Sequence, residues 1–178
     1  ERLYVGGYRL ISMSSYVSGK IDVPYGYTPV VLTFDDGHRS NFEYIENADG
    51  AWIINPDSVI GILEAFTNKH PDFGKAAVFY LNAGNPFGQP DFLKQKLTFL
   101  AENGYEIGNH AFNHEDLSKL DAPGIQEALG RNVKKFRTLE PALEMRTLAL
   151  PYGKMPQTGD LKAYVSKGIF EDRSEEHT

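Results

Sequence analysis

The chain of 178 residues has the length of one domain, and its apolar fraction of 41% is sufficient for a hydrophobic core. Its net charge is -6 and its basic residues do not cluster, which argues against a nucleic-acid groove or an anionic membrane surface as partner. The absence of cysteine excludes a disulfide framework, a thiol nucleophile and a Cys-based zinc site, and no apolar run approaches the ~20 residues of a spanning helix.

The sequence predicts two different regions. Residues 1–27 mix short apolar pieces with Gly, Ser and Pro, and indicate an irregular lead-in with a short strand or two. Residues 28–178 are interpreted as one domain. Its first element, from Pro29 to Phe34, is a continuous apolar run with β-branched residues, which is typical of a strand buried on both faces.

That strand ends in two adjacent carboxylates, Asp35 and Asp36, followed by Gly37. Successive strand side chains point to opposite faces, so the two carboxylates are expected to have different roles. One of them can bind a metal ion while the other handles a proton. Taken alone, however, Asp-Asp-Gly is about equally typical of a simple strand-ending turn.

The remaining elements alternate between helices and buried strands. Residues 38–55 predict a long polar loop, after which Asn55 is expected to cap a helix that begins at Pro56. That helix is predicted to bury Val59, Ile62, Leu63 and Phe66 on one face. Later helices are predicted to begin at Pro90 and at Asp121 and to cover 159–167, and later strands to cover 76–81, 105–109, 147–150 and 169–170.

This alternation predicts parallel β/α units, in which right-handed crossovers place the C-terminal end of every strand at one rim. Such folds collect their chemistry at that rim. The Asp pair, His110 and the segment Pro151-Tyr152-Gly153 each follow a predicted strand. We therefore expect all three to lie close together.

A second candidate motif is His110-x-x-x-His114. On a helical turn this spacing would place both imidazoles on one side, within reach of one ion. An oxygen ligand from Asp36 would complete a two-histidine, one-carboxylate site, which suits zinc but also cobalt, nickel or iron. Of the other histidines, His38 is more typical of a solvated loop than of a residue touching the edge of the site, and His70 is interpreted as the cap at a helix end.

Thr33-Phe34-Asp35-Asp36-Gly37 and His110-x-x-x-His114, in this order, resemble the first two motifs of the polysaccharide deacetylases, the NodB-homology domain or carbohydrate esterase family 4. Pro151-Tyr152-Gly153 is similar to the end of the third motif. The resemblance covers about residues 28–155. It implies a distorted (β/α) barrel, which would be incomplete at its C-terminal side in this chain.

The resemblance also implies a function and a set of roles. The function is metal-dependent removal of N- or O-acetyl groups from a glycan such as peptidoglycan or a chitin-like polymer. Asp35 would be the general base, and Asp36, His110 and His114 would bind the metal. The backbone N–H of Tyr152 would stabilise the oxyanion, with Pro151 and Tyr152 contacting the substrate.

Two departures from the family pattern favour an alternative function. The family has an arginine, which holds the catalytic aspartate, at the position of Ala149; Arg146 is expected to lie on the opposite strand face. No later segment resembles the motif that supplies the histidine acid, and His177 is a weak replacement. A carbohydrate-binding or scaffolding protein that has lost efficient catalysis is therefore the second hypothesis, and a small-amide hydrolase the third.

The expected partner is a polysaccharide, and the family resemblance alone implies an extracellular or cell-surface location. The sequence gives no indication of an oligomeric state.

Overall fold

The computed structural model of the chain describes residues 1–84, 86–171 and 173–176, the last four through their backbone alone. Six α-helices and nine short strands are found in these ranges. The helices are α1 Arg2–Val5, α2 Met13–Ser18, α3 Val59–Lys69, α4 Leu93–Glu102, α5 Ala122–Leu139 and α6 Gly159–Ser166. The strands are β1 Tyr8–Leu10, β2 Thr28–Val30, β3 Thr33–Asp35, β4 Tyr44–Glu46, β5 Trp52–Ile54, β6 Val78–Leu81, β7 Glu106–Asn109, β8 Lys167–Phe170 and β9 Arg173–Glu176.

The central wall of the fold is a parallel sheet in the order β3-β6-β7. Phe34 is in register with Phe79, and Phe79 with Ile107. A parallel bridge between Asn109 and Leu148 extends the wall by one more segment. The predicted parallel β/α arrangement is thus confirmed, and the C-terminal ends of these segments meet at one rim.

The core fills the space between this wall and its helices. Fully buried residues from β6, α4 and α5, with Phe87 from a loop, form its centre: Phe79, Leu81, Phe87, Leu97, Leu100 and Phe136. A smaller cluster under α5 and α6 contains Ala111, Leu117, Ile125 and Leu129. Because Ala111 belongs to this second cluster, the histidine motif is packed on its inner side.

The N-terminal segment is attached through a small separate sheet. Strand β1 pairs in parallel with β2, and Arg9 from β1 is buried. The Arg9 guanidinium lies 3.8 Å from the ring centre of Tyr27 and donates a 2.9 Å hydrogen bond to Asp72. Residues 1–27 are therefore in close contact with the rest of the chain, and the boundary after residue 27 stays a prediction.

The prediction of one continuous strand from Pro29 to Phe34, buried on both faces, is wrong. The chain forms β2 and β3 with residues 31 and 32 between them, and Val30 and Phe34 are only partly buried. The reason is a change of partner, since β2 pairs with β1 while β3 pairs with β6. A local apolar run cannot reveal such a change.

The prediction of a structureless loop over residues 38–55 is also wrong. Strands β4 and β5 form an antiparallel hairpin in this segment. The Asn47 side chain closes the connection by accepting hydrogen bonds from the backbone N–H groups of Asp49 and Ala51. The polar residues of this turn are part of the pattern that indicated a loop.

Helix α3 begins three residues later than the predicted start at Pro56. Asn55 makes a local turn, in which its side chain accepts from Asp57 N–H and its carbonyl from Ser58 N–H. Ser58 then caps the helix by accepting from Gly61 N–H. The buried face is correspondingly different, since Ile60, Leu63 and Thr67 are buried and Ile62 is 55% exposed.

Most of the later elements confirm the sequence analysis. Helix α4 begins at Leu93, three residues after the predicted start at Pro90, and buries Leu93, Leu97 and Leu100 as expected together with Lys96. The Asp121 side chain caps α5 through Gly124 N–H. The predicted helix over 159–167 corresponds to α6, and residues 169–170 lie in β8. The predicted strand over 147–150 is wrong, because only Leu148 pairs with the sheet.

Candidate metal centre

The first part of the site is the turn after β3. Asp35 is the last residue of the strand, and Asp36 and Gly37 both adopt left-handed conformations with φ of 66°. A Cβ at Gly37 would lie 2.8 Å from Leu81 Cδ2, so a larger residue there would have to displace the Leu81 side chain. The Gly37 carbonyl accepts a 2.6 Å hydrogen bond from Phe87 N–H. This turn, rather than strand alternation, directs the half-exposed Asp36 carboxylate away from the strand.

The second part is the segment after β7, which carries both histidines. The prediction that His110 and His114 lie on a helical turn is wrong, because Ala111 and His114 have left-handed φ values of 58° and 57°. The segment is irregular and is fixed by hydrogen bonds from Phe112 N–H to Ala128 O and from Ala83 N–H to Phe112 O. The reversal still brings the two imidazoles together, with ring centres 4.7 Å apart.

The two parts meet at the Asp36 carboxylate. The Nε2 atoms of His110 and His114 each lie 3.5 Å from Asp36 Oδ1. The three donor atoms all lie within 4.8 Å of one another, and within the described ranges this is the sole cluster of this kind. His110 is 2% exposed, whereas Asp36 and His114 are partly open to solvent. One side of the cluster is thus fixed in the core and the other is accessible.

These residues fit a divalent metal ion. A tetrahedral ion with bonds of ~2.1 Å holds its ligand atoms ~3.4 Å apart, which is close to the 3.5 Å measured from Asp36 Oδ1 to each imidazole nitrogen. One carboxylate and two imidazoles form a donor set suited to zinc and related ions. Three protein ligands also leave coordination positions for water and substrate, as in catalytic sites.

The tautomer of His110 is fixed by the backbone. Its Nδ1 lies 2.8 Å from the carbonyl oxygen of Ala149. A carbonyl only accepts hydrogen bonds, so Nδ1 carries the proton and the Nε2 lone pair is directed at the cluster. Metal-binding histidines usually have such an outer partner, which orients the ring.

The third part is the turn Pro151–Gly153. Tyr152 is left-handed, with φ of 58°, and its ring centre lies 4.5 Å from that of His114. Pro151 is buried while Tyr152 is 65% exposed. Within the described residues, the N–H of Tyr152 donates no hydrogen bond to the protein. This donor is therefore available to a bound group.

An ion pair connects this turn to the segment after His114. Lys154 Nζ lies 3.0 Å from Asp116 Oδ2. The hydrogen bond from Ser118, followed by the interaction with Lys154, lowers the pKa of Asp116 to about 2. Asp116 is thus a carboxylate at neutral pH and holds the two segments together.

Asp35 lies outside the donor cluster. Its side chain is exposed at the end of β3, and no cation pairs with it in the part of the chain that the structure describes. Asp35 also affects Tyr80, whose pKa is raised mainly by burial and further by the negative charge of Asp35. Ala149 contributes its carbonyl to His110 but no positive charge to Asp35. Arg146 is instead paired with Glu144.

Two more residues contact Asp36. Nε2 of the exposed His38 lies 3.6 Å from Asp36 Oδ2, so His38 lies at the edge of the site, where the sequence favoured a solvated loop residue. Asn82 Nδ2 lies 3.4 Å from Asp36 Oδ1 and was not considered in the sequence analysis. Asn82 directly follows β6, so the rule that strand ends meet at one rim could have identified it.

Of the two remaining histidines, His70 lies away from the cluster. His70 ends α3 by donating its backbone N–H to Phe66 O, and its ring packs against Tyr4, as its position before a proline indicated. His177 lies outside the described residues.

The sequence model of the family described as Polysaccharide deacetylase matches residues 63–168, which is more than half of the chain. The chain therefore belongs to the polysaccharide deacetylase family. Comparison with curated protein sequences finds no match.

Solved structures with the same fold include three deacetylases or esterases. A Streptococcus pyogenes deacetylase, PplD, in complex with acetate has 14% identity and a TM-score of 0.60, and the match covers 90% of this chain and 62% of that one. The Bacillus subtilis peptidoglycan deacetylase PdaC has 19% identity and a TM-score of 0.51, covering 76% and 55%. A Streptomyces lividans family 4 carbohydrate esterase in complex with acetate has 17% identity and a TM-score of 0.50, covering 76% and 56%.

At these identities the likeness concerns the fold. The mixed α/β architecture is that of the NodB-type distorted barrel, and the chain spans between about half and two thirds of the length of these structures. Among the helices that the structure describes, none has the length and apolar character needed to cross a bilayer.

Proposed function

We propose that this chain is a metal-dependent hydrolase that removes acetyl groups from N-acetylated polysaccharide of the peptidoglycan or chitin type. Asp36, His110 and His114 would bind one divalent ion, with zinc preferred over cobalt, nickel or iron. The observation that carries the proposal is the convergence of the three donor atoms within 4.8 Å of one another. The Ala149 carbonyl that orients His110 supports it, because it leaves Nε2 free to bind.

A bound divalent ion lowers the pKa of its water from ~16 toward ~7 and polarises the carbonyl, so it supplies a nucleophile and an electrophile at neutral pH. In our proposal Asp35 accepts the proton of the attacking water as the new C–O bond forms. The N–H of Tyr152 donates to the oxyanion, and loss of one such donor typically costs ~10²–10³ in rate. Cleavage of the C–N bond then gives acetate and an amine that takes up a proton.

The substrate class and location follow from the relatives and remain proposals. One of the similar structures is a peptidoglycan deacetylase, and two others were determined with acetate, the expected product. A half-exposed cluster at the strand rim is compatible with a long polymer, because the site is open on the side of Asp36 and His114. We propose an extracellular or cell-surface location on the same grounds.

A second candidate function is favoured by a specific observation. Asp35 has no cationic partner among the described residues, and Ala149 stands where the family has an arginine. A cation beside a carboxylate favours its ionised, basic form, so its absence would weaken Asp35 as a base. The alternative is a carbohydrate-binding protein with impaired catalysis on the same fold.

Metal binding is tested first. We expect the wild-type chain to retain about one zinc ion after dialysis, and Asp36→Ala to lose it. Asp49→Ala changes an exposed carboxylate in the β4–β5 turn and should retain the metal like the wild type. Equal metal content in the wild type and Asp36→Ala would exclude the site.

Catalysis is tested with the metal-loaded chain. Acetate release from chitooligosaccharides and peptidoglycan fragments should fall ~10²–10⁴-fold in Asp35→Asn, the usual contribution of a general base. Metal content should be unchanged in this variant. A wild-type chain that binds metal and glycan but releases no acetate would establish the binding function instead.

A further inference from the structure

A buried asparagine pair lies behind the histidine segment. Asn109 and Asn132 are both 0% exposed, Asn109 at the end of β7 and Asn132 in the middle of α5. Neither has a role in the proposed chemistry. Two amides without solvent contact inside an apolar helix–sheet interface require an explanation, because polar groups are disfavoured there unless they are hydrogen-bonded.

The Asn132 amide group contacts two acceptors next to His110, the backbone carbonyl of Leu81 and the side-chain oxygen of Asn109. Its Nδ2 donates to Leu81 O at 2.7 Å and to Asn109 Oδ1 at 2.8 Å. Leu81 O also accepts from the His110 N–H at 3.1 Å, and Asn109 Oδ1 accepts from the Ala111 N–H at 3.0 Å. The two acceptors of Asn132 are therefore the same two atoms that hold His110 and the residue after it.

The orientation of the Asn132 amide follows from these partners. Leu81 O is a carbonyl and can only accept, so the nitrogen of Asn132 must face it. The amide oxygen, Asn132 Oδ1, has no protein donor among the described residues. Asn132 thus makes two donor contacts at the histidine segment and leaves its own acceptor without a protein partner.

Asn132 is not needed to satisfy the two buried acceptors, Leu81 O and Asn109 Oδ1. Leu81 O would keep the His110 N–H, and Asn109 Oδ1 would keep the Ala111 N–H, if Asn132 were replaced. What Asn132 adds is a cross-link from α5 to both hydrogen bonds around His110. Ala111 is in a left-handed conformation with φ of 58°, which most residues avoid, so this backbone needs an external restraint.

We propose that Asn132 is a positioning residue for the metal ligand His110, acting from α5 without touching the metal site. This inference rests on the proposed metal function. Ligand positions must be held within ~0.5 Å for a functional site. Asn132 would supply that restraint from the inner side of the segment, while the Ala149 carbonyl orients the imidazole at the outer side.

The test compares Asn132→Leu with the wild type. The leucine has similar volume, removes both donor contacts and removes the unpaired oxygen, so the midpoint of urea unfolding should change little. The affinity for Zn²⁺ by titration calorimetry should fall by roughly 10–100-fold, the usual effect of removing an outer partner of a metal ligand. The visible spectrum of the Co²⁺-loaded variant should also differ from that of the wild type.

Hydrogen exchange gives a readout that needs no metal. The amide protons of His110 and Ala111 should exchange faster in metal-free Asn132→Leu. Thr67→Val, which removes a buried hydroxyl that bonds within α3, is the matched control and should leave both amides and Zn²⁺ affinity unchanged. Asn132→Ala is the second variant.

The outcomes separate the two proposals. If the wild-type chain binds no Zn²⁺, the proposed function fails, whereas faster exchange of the two amides would still support the restraint. If the wild type binds Zn²⁺ and both variants bind it equally well, the positioning role is overturned. It is also overturned if neither variant folds, because Asn132 would then be a determinant of folding.

Discussion

A buried lysine supports the loop beside the candidate site and gives the sharpest stability prediction. Lys96 on α4 is 0% exposed, and its ammonium donates to Phe42 O and Gln89 Oε1, both at 2.8 Å, and to Phe87 O at 3.4 Å. Phe87 in turn holds Gly37 O through its N–H. We consider replacement of Lys96 by methionine, which keeps the packing length and removes the charge.

The structure determines the pH dependence of this change. Burial lowers the pKa of Lys96 from 10.5 to about 8. Between these values the unfolded chain binds more protons than the folded one, so stability rises with pH through this window. At ~1.4 kcal/mol per pKa unit the full effect is roughly 3–4 kcal/mol, of which about 1 kcal/mol falls between pH 7 and 9.

Urea unfolding at pH 7, 8 and 9 measures this effect. The free energy of unfolding of the wild type relative to Lys96→Met should rise by about 1 kcal/mol from pH 7 to pH 9. The difference between two chains is used because the other titrating groups are shared. Lys94→Met, on the exposed side of the same helix, serves as control. A wild-type to Lys96→Met difference that stays constant with pH would refute the reasoning.

Three other predictions concern the site and its support. Gly37→Ala should lower the free energy of unfolding, measured in urea, by about 1–3 kcal/mol. The reason is that φ of 66° is unfavourable for alanine and that the new Cβ would lie 2.8 Å from Leu81. Unchanged stability would contradict this geometry. Gly130→Ala should displace Phe170, against which the new Cβ would clash, and should speed tryptic cleavage near β8 without changing the metal content. His114→Ala should weaken Zn²⁺ binding by more than the ~100-fold upper range for an outer partner, measured by calorimetry, and equal affinity would remove His114 from the ligand set.

The residues of the candidate site could be selected from the sequence alone. A strand-ending Asp-Asp-Gly, the paired histidines and Pro151-Tyr152-Gly153 each follow a predicted strand. Parallel strands bring their C-terminal ends to one rim, and this reasoning requires only the order of the elements. The structure brings Asp36, His110 and His114 together as expected.

The conformations that join these residues were not predictable from local pattern. The four left-handed residues at the site, Asp36, Ala111, His114 and Tyr152, carry no glycine signal. The segment around Ala111 is held by hydrogen bonds from distant parts of the chain, such as Phe112 N–H to Ala128 O. The helical turn expected for the two histidines was wrong for this reason.

The chain by itself determined the alternation of helices and strands, the parallel arrangement and the identity of the candidate ligands. These follow from hydrophobic periodicity and residue chemistry, which are local properties. Only the tertiary structure decided that Ala149 orients His110, that Asn132 lies behind it and that Asp35 has no cation beside it in the described residues. Each of these depends on which distant segments pack together, because a hydrogen bond is set by position in space rather than by separation along the chain.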